Sequence, residues 1–305
     1  MMRPSSINGT HTMKFLSASC ATLWLLSICA EAAPSLTVDG AAGLWLPDLV
    51  STPAAEVRIT FSPDGQRMLW GVIGGSGGTG GWDIYESVRS AAGWSKPQSV
   101  SFNSSANDFD PSFAPNGSGV YFFSNREGGQ GKDDIYFAAF DKSTGRYDAA
   151  KNLGPEINTA ADEWAPVVSP DGAQLLFASD GRGGKGKHDL FIARREGSAW
   201  IQARGVDALN TPAEDFDATF LHDGRSIVYS SGEMEGIVVL YVAVADKNGY
   251  QPRQRLTDAV NSTQPEAWTF GPSISLHERN VLYFTSHHAA NRGRADIYRI
   301  RYQIR

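Results

Sequence analysis

Carboxylates recur along this chain in step with its turns. Glu56, Asp108, Glu163 and Asp215 each stand five residues before the apolar residue that leads into a turn, and Glu266 sits slightly displaced from the corresponding place. Two residues further on stand Asp110 and Asp217, where the first copy carries Arg58. In three copies an aromatic residue follows the carboxylate directly, as Phe109, Trp164 and Phe216. Like charges a few ångströms apart repel unless hydrogen bonds or a cation offset them, so a ring of these groups would attract a metal ion or a cationic peptide. Two or three of them could instead serve as acid, base or nucleophile in glycoside hydrolysis. The competing structural reading has each carboxylate capping backbone N–H groups at a strand entrance or pairing with a neighbouring repeat. Every carboxylate recurs in equivalent repeats, whereas catalytic acids usually break repeat symmetry. No catalytic residue is therefore assigned, and the eight charged positions form an expected ligand-binding set.

The elements that must position them are legible as a repeat. A turn appears as Ser62-Pro63-Asp64-Gly65, Ala114-Pro115-Asn116-Gly117, Ser169-Pro170-Asp171-Gly172 and Leu221-His222-Asp223-Gly224, and degenerately around Glu278. The residues before it, Phe61, Phe113, Val168, Phe220 and Ile274, are 52 to 55 positions apart. Each turn is followed by a short β-branched and aromatic run such as Val120-Tyr121-Phe122-Phe123, then a Gly-rich loop. A third run then opens as Asp83-Ile84-Tyr85, Asp134-Ile135-Tyr136, Asp189-Leu190-Phe191, the eroded Val239-Leu240-Tyr241 or Asp296-Ile297-Tyr298. Proline presets φ, Asp bonds its own backbone and Gly takes positive φ, which makes the turn a hairpin. A period of this length, all strand and no helix, with a fourth element marked by an aromatic or Pro, predicts propeller blades.

The fifth repeat has few residues beyond Tyr298, and the segment Leu44–Val50 precedes the first complete repeat. Trp45 to Pro47 parallels Trp94 to Pro97, so the N-terminal segment is expected to supply the outer strand of the last blade and remove the exposed sheet edges. The expected fold is all-β: a five-bladed β-propeller of four-stranded antiparallel blades closed by an N-terminal strand. Residues 1–32 read as a signal peptide, with Met13 the expected initiator, Lys14 as the basic region, an apolar run from Phe15 to Ile28 and a cleavage site at Ala30-Glu31-Ala32. The run is too short for a permanent membrane anchor. Residues 33–305 are expected to be one propeller domain.

Both cysteines, Cys20 and Cys29, fall inside the export segment, so the mature chain is expected to hold no thiol and no disulfide. Leu26-Ser27-Ile28-Cys29 is a poor lipobox because Ile28 stands where a small residue is wanted, and a periplasmic or secreted protein is expected over a lipoprotein. The formal net charge of -6 argues against nucleic acid, which needs a basic footprint. No cofactor is expected, and no metal, since His188, His222, His277, His287 and His288 show no ligand spacing. Glycine patterns such as Gly74-Gly75-Ser76-Gly77-Gly78 imitate nucleophile-elbow and dinucleotide motifs but do not lie between a strand and a helix. The loop arginines Arg126, Arg182 and Arg292 read as ties to nearby carboxylates, the aspartates opening the third strands as acceptors for turn amides, and Trp82, Trp94, Trp164, Trp200 and Trp268 as packing.

The Ser-Pro-Asp-Gly turns, the loops Ser124–Gly129 and Ser179–Gly184, the Asp-Ile-Tyr openings and the linker Asn152–Thr159 together resemble the WD-like propeller repeats of TolB-type exported bacterial proteins. The similarity covers essentially residues 41–305 and speaks to fold and export, because the motifs build blades. That family carries a separate N-terminal domain that contacts envelope partners, for which no room is expected between Ala33 and Trp45. The expected function is that of a monomeric, non-catalytic binding or scaffolding propeller of the periplasm or cell surface that engages a protein or peptide at its channel mouth. Five-bladed propellers also serve as glycosidase folds, so a carbohydrate-active enzyme is the alternative.

Overall fold

The computed structural model describes residues 34–233, 236–264, 267–288 and 290–305. The expected signal peptide, with Cys20 and Cys29, and Glu266 lie outside the described residues. Among the described residues five antiparallel sheets of four or five strands succeed one another, each with an inner strand at the ring axis, and a two-stranded hairpin of Ala245–Asp246 with Gly249–Tyr250 is added to the fourth. The inner strands are Ala55–Phe61, Asp108–Phe113, Glu163–Val168, Asp215–Phe220 and Thr269–Ile274, and each contacts the next around the ring. The second and third strands follow in register, for example Gln174–Ser179 and Asp189–Glu196 in blade 3. Outer strands are short pieces in blades 1, 2 and 4, and the continuous Ala199–Gly205 in blade 3. This is the expected five-bladed propeller.

The turns form for the reasons their residues dictate. Asp64 Oδ1 accepts from the Ser62 hydroxyl at 2.6 Å and the Gln66 N–H at 3.0 Å, and Gly65 takes φ 67°. Asp171 repeats this with Ser169 and Ala173, and Asn116 accepts from the Ser118 N–H at 3.0 Å. The aspartates at the third-strand openings hold the Gly-rich loops: Asp83 accepts from the Thr79 and Gly80 amides, Asp189 from Lys185 and Gly186, and Asp296 from Arg292 and Gly293. A side chain at Gly186 would collide with the Ala213 carbonyl, 1.6 Å from the place of its Cβ, which explains the glycine there. The second strands are buried throughout in blade 2, where Gly119–Ser124 lies between neighbouring sheets.

Ring closure differs from the sequence expectation in register. The closing strand is Leu36–Leu44, paired antiparallel to Asp296–Ile304 from Leu36 opposite Ile304 to Leu44 opposite Tyr298. The segment Leu44–Val50 contributes only its start: Trp45 N–H reaches the Ile297 carbonyl at 2.8 Å, and the chain then turns. Leu46 and Asp48 adopt φ 39° and 69°, and Pro47 between them has no N–H to offer a sheet. Trp45 to Pro47 is thus the counterpart of the linker Leu153 to Pro155, whose Leu153 N–H reaches the Ile135 carbonyl in the same way, and not of Trp94 to Pro97. At the seam Trp45 packs edge-on to Tyr283 at 5.4 Å and to Phe61 at 6.4 Å. The linkers themselves are clamped by Asn103, Asn158, Asn210 and Asn261, each of which accepts from and donates to one third-strand residue, as Asn158 does with Ile135. Ser51 takes this place at the seam, donating to the Trp45 and Ile297 carbonyls.

Without Leu36–Leu44 the last blade would expose an unpaired edge along Asp296–Ile304. Removing residues 34–44 should lower the thermal midpoint by roughly 10 °C or more and promote association, read by calorimetry and size-exclusion chromatography; an unchanged midpoint would show that closure is dispensable.

Candidate functional site

Each inner strand breaks register at one point, between Val57 and Thr60, Phe109 and Ser112, Trp164 and Val167, Phe216 and Ala218, and Phe270 and Ser273. The residue at the break is left-handed in every blade: Arg58, Asp110, Ala165, Asp217 and Gly271 have φ of 47°, 50°, 52°, 42° and 57°. Four of these are not glycine, and such conformations cost about 1–3 kcal/mol each unless the surroundings dictate them. The repeated bulge brings Arg58, Asp110 and Asp217, from three blades, together at the axis. Prolines 111, 166 and 272 follow the bulge in three blades; a proline inside a strand marks a bulge or an edge, and this was the sequence signal for the feature.

Arg58 is fully buried at 1 % exposure. It donates to the Ala218 carbonyl at 2.9 Å, lies 3.8 Å from Asp217 Oδ1, and its backbone N–H donates to Thr285 Oγ1 at 3.0 Å. Burial raises Asp110 well above the usual carboxylate range, the Asp217 charge raises it further, and Arg58 works against both. Asp217 is also raised by burial, with Arg58 opposing. The group thus brings one guanidinium and two carboxyls, both raised by burial, into the channel.

Above this group lies a cup of about 480 Å3 with Asp110 and Asp217 in its floor. Its wall is built by the residues one before each bulge, Val57, Phe109, Trp164, Phe216 and Phe270, extended by Ile73, Phe123 and Val238. Trp82 and Trp268 line it as well and remain 36 % and 57 % exposed. Trp82 packs on Phe109 at 5.0 Å, and Trp164 stacks on His188 with centroids 3.8 Å apart. On the opposite side of Arg58, a second and narrower depression is lined by Thr60, Ser112, Thr219 and Ser273.

The structure places the other expected site residues elsewhere. Glu56, Asp108, Glu163 and Asp215 are buried and line neither side of the channel. Each accepts from the backbone N–H and hydroxyl of the residue four before it, Thr52, Ser104, Thr159 or Thr211. They staple the linker to the inner strand. Arg126 also bonds Asp108, and the Ser179 hydroxyl donates to Glu163 at 2.7 Å. In blade 5 the equivalent place is held by Thr269: the Thr269 hydroxyl accepts from Ser262 N–H at 3.1 Å and pairs with Ser286. Arg182 donates to the carbonyls of Glu156 and Ile157, and Arg292 reaches Asp48 at 3.2 Å, so these loop arginines tie to the preceding linker and not to the third-strand aspartates. Trp82, Trp164 and Trp268, read from sequence as packing, are cup residues.

No family model matches the chain, and no curated protein matches it. Among solved structures it is similar to TolB from Acinetobacter baumannii, at 17% identity and TM-score 0.49 over 83% of this chain and 56% of that one. It is also similar to a thermostable family-43 glycoside hydrolase, at 10% identity and TM-score 0.50 over 84% and 91% of the two chains. An endo-arabinase from Bacteroides thetaiotaomicron gives 10% identity and TM-score 0.50 over 86% and 97%. The chain spans little more than half the length of the Acinetobacter TolB it matches. These likenesses are likenesses of fold: a five-bladed propeller, with TolB-like propellers among its structural neighbours.

Replacing Arg58 by Met leaves Asp217 buried without its counter-charge. The variant should lose about 3–5 kcal/mol of stability at pH 8. The loss should shrink as pH falls and Asp217 takes up a proton, and adding Asp217→Asn should restore much of it; denaturant midpoints followed downward from pH 8 read this, and a pH-independent loss would contradict the pairing. Glu56 offers a separate check. Burial pushes its carboxyl from the usual 4.5 up to about 7, against the hydrogen bonds from Thr52. The folded group holds its proton more tightly than the unfolded one, so its contribution to stability is full below pH 4.5 and is lost as pH rises to about 7. Glu56→Gln should remove that part of the slope, measured as the difference in stability between variant and parent from pH 4 to 8.

Proposed function

We propose that this protein is a non-catalytic exported propeller that captures a protein or peptide ligand at its channel mouth, the aromatic cup receiving an apolar or aromatic side chain. In this reading residues 1–32 direct export and residues 33–305 form the mature domain, acting in the periplasm or outside the cell. The observation that carries the reading is the cup itself: a concave, almost wholly apolar site whose rim tryptophans, Trp82 and Trp268, stay exposed. Contiguous exposed apolar surface with aromatic anchors is the usual character of a binding site.

The channel carboxyls suit hydrolysis poorly. Asp110 and Asp217 are only 5 % and 4 % exposed in the floor of the cup, so neither is freely presented to a sugar and an attacking water as hydrolysis needs. Arg58 further neutralises the pair.

Crosslinking in cells followed by identification of the captured partner is the direct test. Trp268→Ala combined with Trp82→Ala should reduce capture at least tenfold while leaving the thermal midpoint within about 2 °C of the parent, since both side chains are partly solvated. Undiminished capture by the double variant would refute the cup as the docking site. Release of sugar from a glycan panel by the purified protein would favour the enzyme reading instead.

A further inference from the structure

Beside the cup, outside the channel, the structure gathers three groups that the sequence shows far from any ligand spacing. Asp162 precedes the inner strand of blade 3, Asp180 follows the second strand of that blade, and His188 leads into its third strand. One carboxylate oxygen from each aspartate and one imidazole nitrogen lie within 4.8 Å of one another. We propose that Asp162, Asp180 and His188 form a binding site for a divalent transition-metal ion such as Zn2+, with Glu214 as the residue that positions the imidazole. The inference is independent of what the cup binds.

The histidine carries the argument. His188 is only 5 % exposed and stacks on Trp164 at 3.8 Å and 20°, so its ring cannot turn freely. Its Nδ1 lies 2.8 Å from Glu214 Oε1. Its Nε2 is buried with no hydrogen-bond partner. A carboxylate on one ring nitrogen holds the N–H there and leaves the lone pair on the other nitrogen. That carboxylate–histidine pairing is how proteins prepare a metal-ligating imidazole. A buried polar nitrogen left without a partner is otherwise unfavourable, and a metal ion would satisfy it.

The two aspartates have the freedom the ion requires. Asp180 is exposed, and Asp162 is half-buried. Their present bonds are weak or dispensable: Asp162 Oδ2 meets the exposed Lys132 ammonium at 3.3 Å, Asp162 Oδ1 accepts from Asp133 N–H at 3.2 Å, and Asp180 Oδ1 accepts from Asp162 N–H at 2.8 Å. Two hard carboxylate oxygens and one imidazole nitrogen form a mixed donor set. It suits Zn2+ or Mn2+, with water completing the shell, better than Ca2+ or Mg2+, which favour all-oxygen sites. Lys132 would swing away as the ion enters. The wall of the cup would stiffen in consequence, because Trp164 is held between His188 on its face and Asp133, which accepts from its indole N–H at 2.8 Å.

The test uses the untagged full chain, stripped with chelator and titrated with Zn2+ alone and Mn2+ alone, by calorimetry and by metal analysis after dialysis. One equivalent of Zn2+ should bind, with a change in tryptophan fluorescence from Trp164. His188→Ala and Asp180→Asn should each weaken binding at least a hundredfold, and Glu214→Gln should weaken it about 10–100-fold. Co2+ in place of Zn2+ should give visible absorption bands that His188→Ala abolishes. Failure of the parent chain to bind Zn2+ or Mn2+ overturns the proposal, as does binding that is unchanged in Asp180→Asn. Asp180 is exposed, so that variant decides the matter even if His188→Ala fails to fold.

Discussion

Five inner strands meet at one axis, and a ring of sheets tolerates no gap there. Leu36–Leu44 closes it by pairing with Asp296–Ile304, so the first and last parts of the propeller belong to one blade. Everything else in the molecule depends on that closure, because each blade buries its faces only against its neighbours. The seam is reinforced by aromatic packing of Trp45 with Phe61 and Tyr283 and by Ser51 standing where the other linkers use asparagine. A repeat protein built this way has no independent subunit to fall back on.

Closure also determines what happens at the axis. Side chains from all five blades crowd the same small space, and the bulge repeated in each inner strand re-aims one residue per blade into it. Three of the five are ionisable, and burial makes an unpaired charge among them costly. Arg58 and Asp217 pair, while burial and the neighbouring Asp217 raise the Asp110 carboxyl well above the usual range. The small Ala165 and Gly271 leave room for the long arginine; Gly271 has Arg58 Cβ 3.4 Å from where its own Cβ would stand. With the axis filled by these side chains, the cup above it presents a strongly aromatic, apolar concavity.

Much of this was legible in the chain. Turn residues, third-strand aspartates and strand composition identified the blades, because each acts through bonds to residues a few positions away, as Asp64 does with Ser62 and Gln66. The recurring carboxylates were visible too, but their role was not. Asp108 and Glu163 face the serine or threonine four residues back, a local contact the spacing alone does not orient. The closing strand was misplaced by one element because Trp45–Pro47 resembles two different parts of a blade.

Local chemistry written in the sequence therefore specified the fold class, the blade count and the hairpins, since these follow from short-range hydrogen bonds and alternating burial. Only the tertiary structure decided which side chains meet across blades. Arg58 and Asp217 are separated by three blades along the chain but share one axis. Trp164, read as packing, became a cup wall, and His188, read as an isolated histidine, came to lie between Glu214 and two aspartates. Such contacts arise from the closed ring, whose geometry is a property of all five repeats together and of none singly.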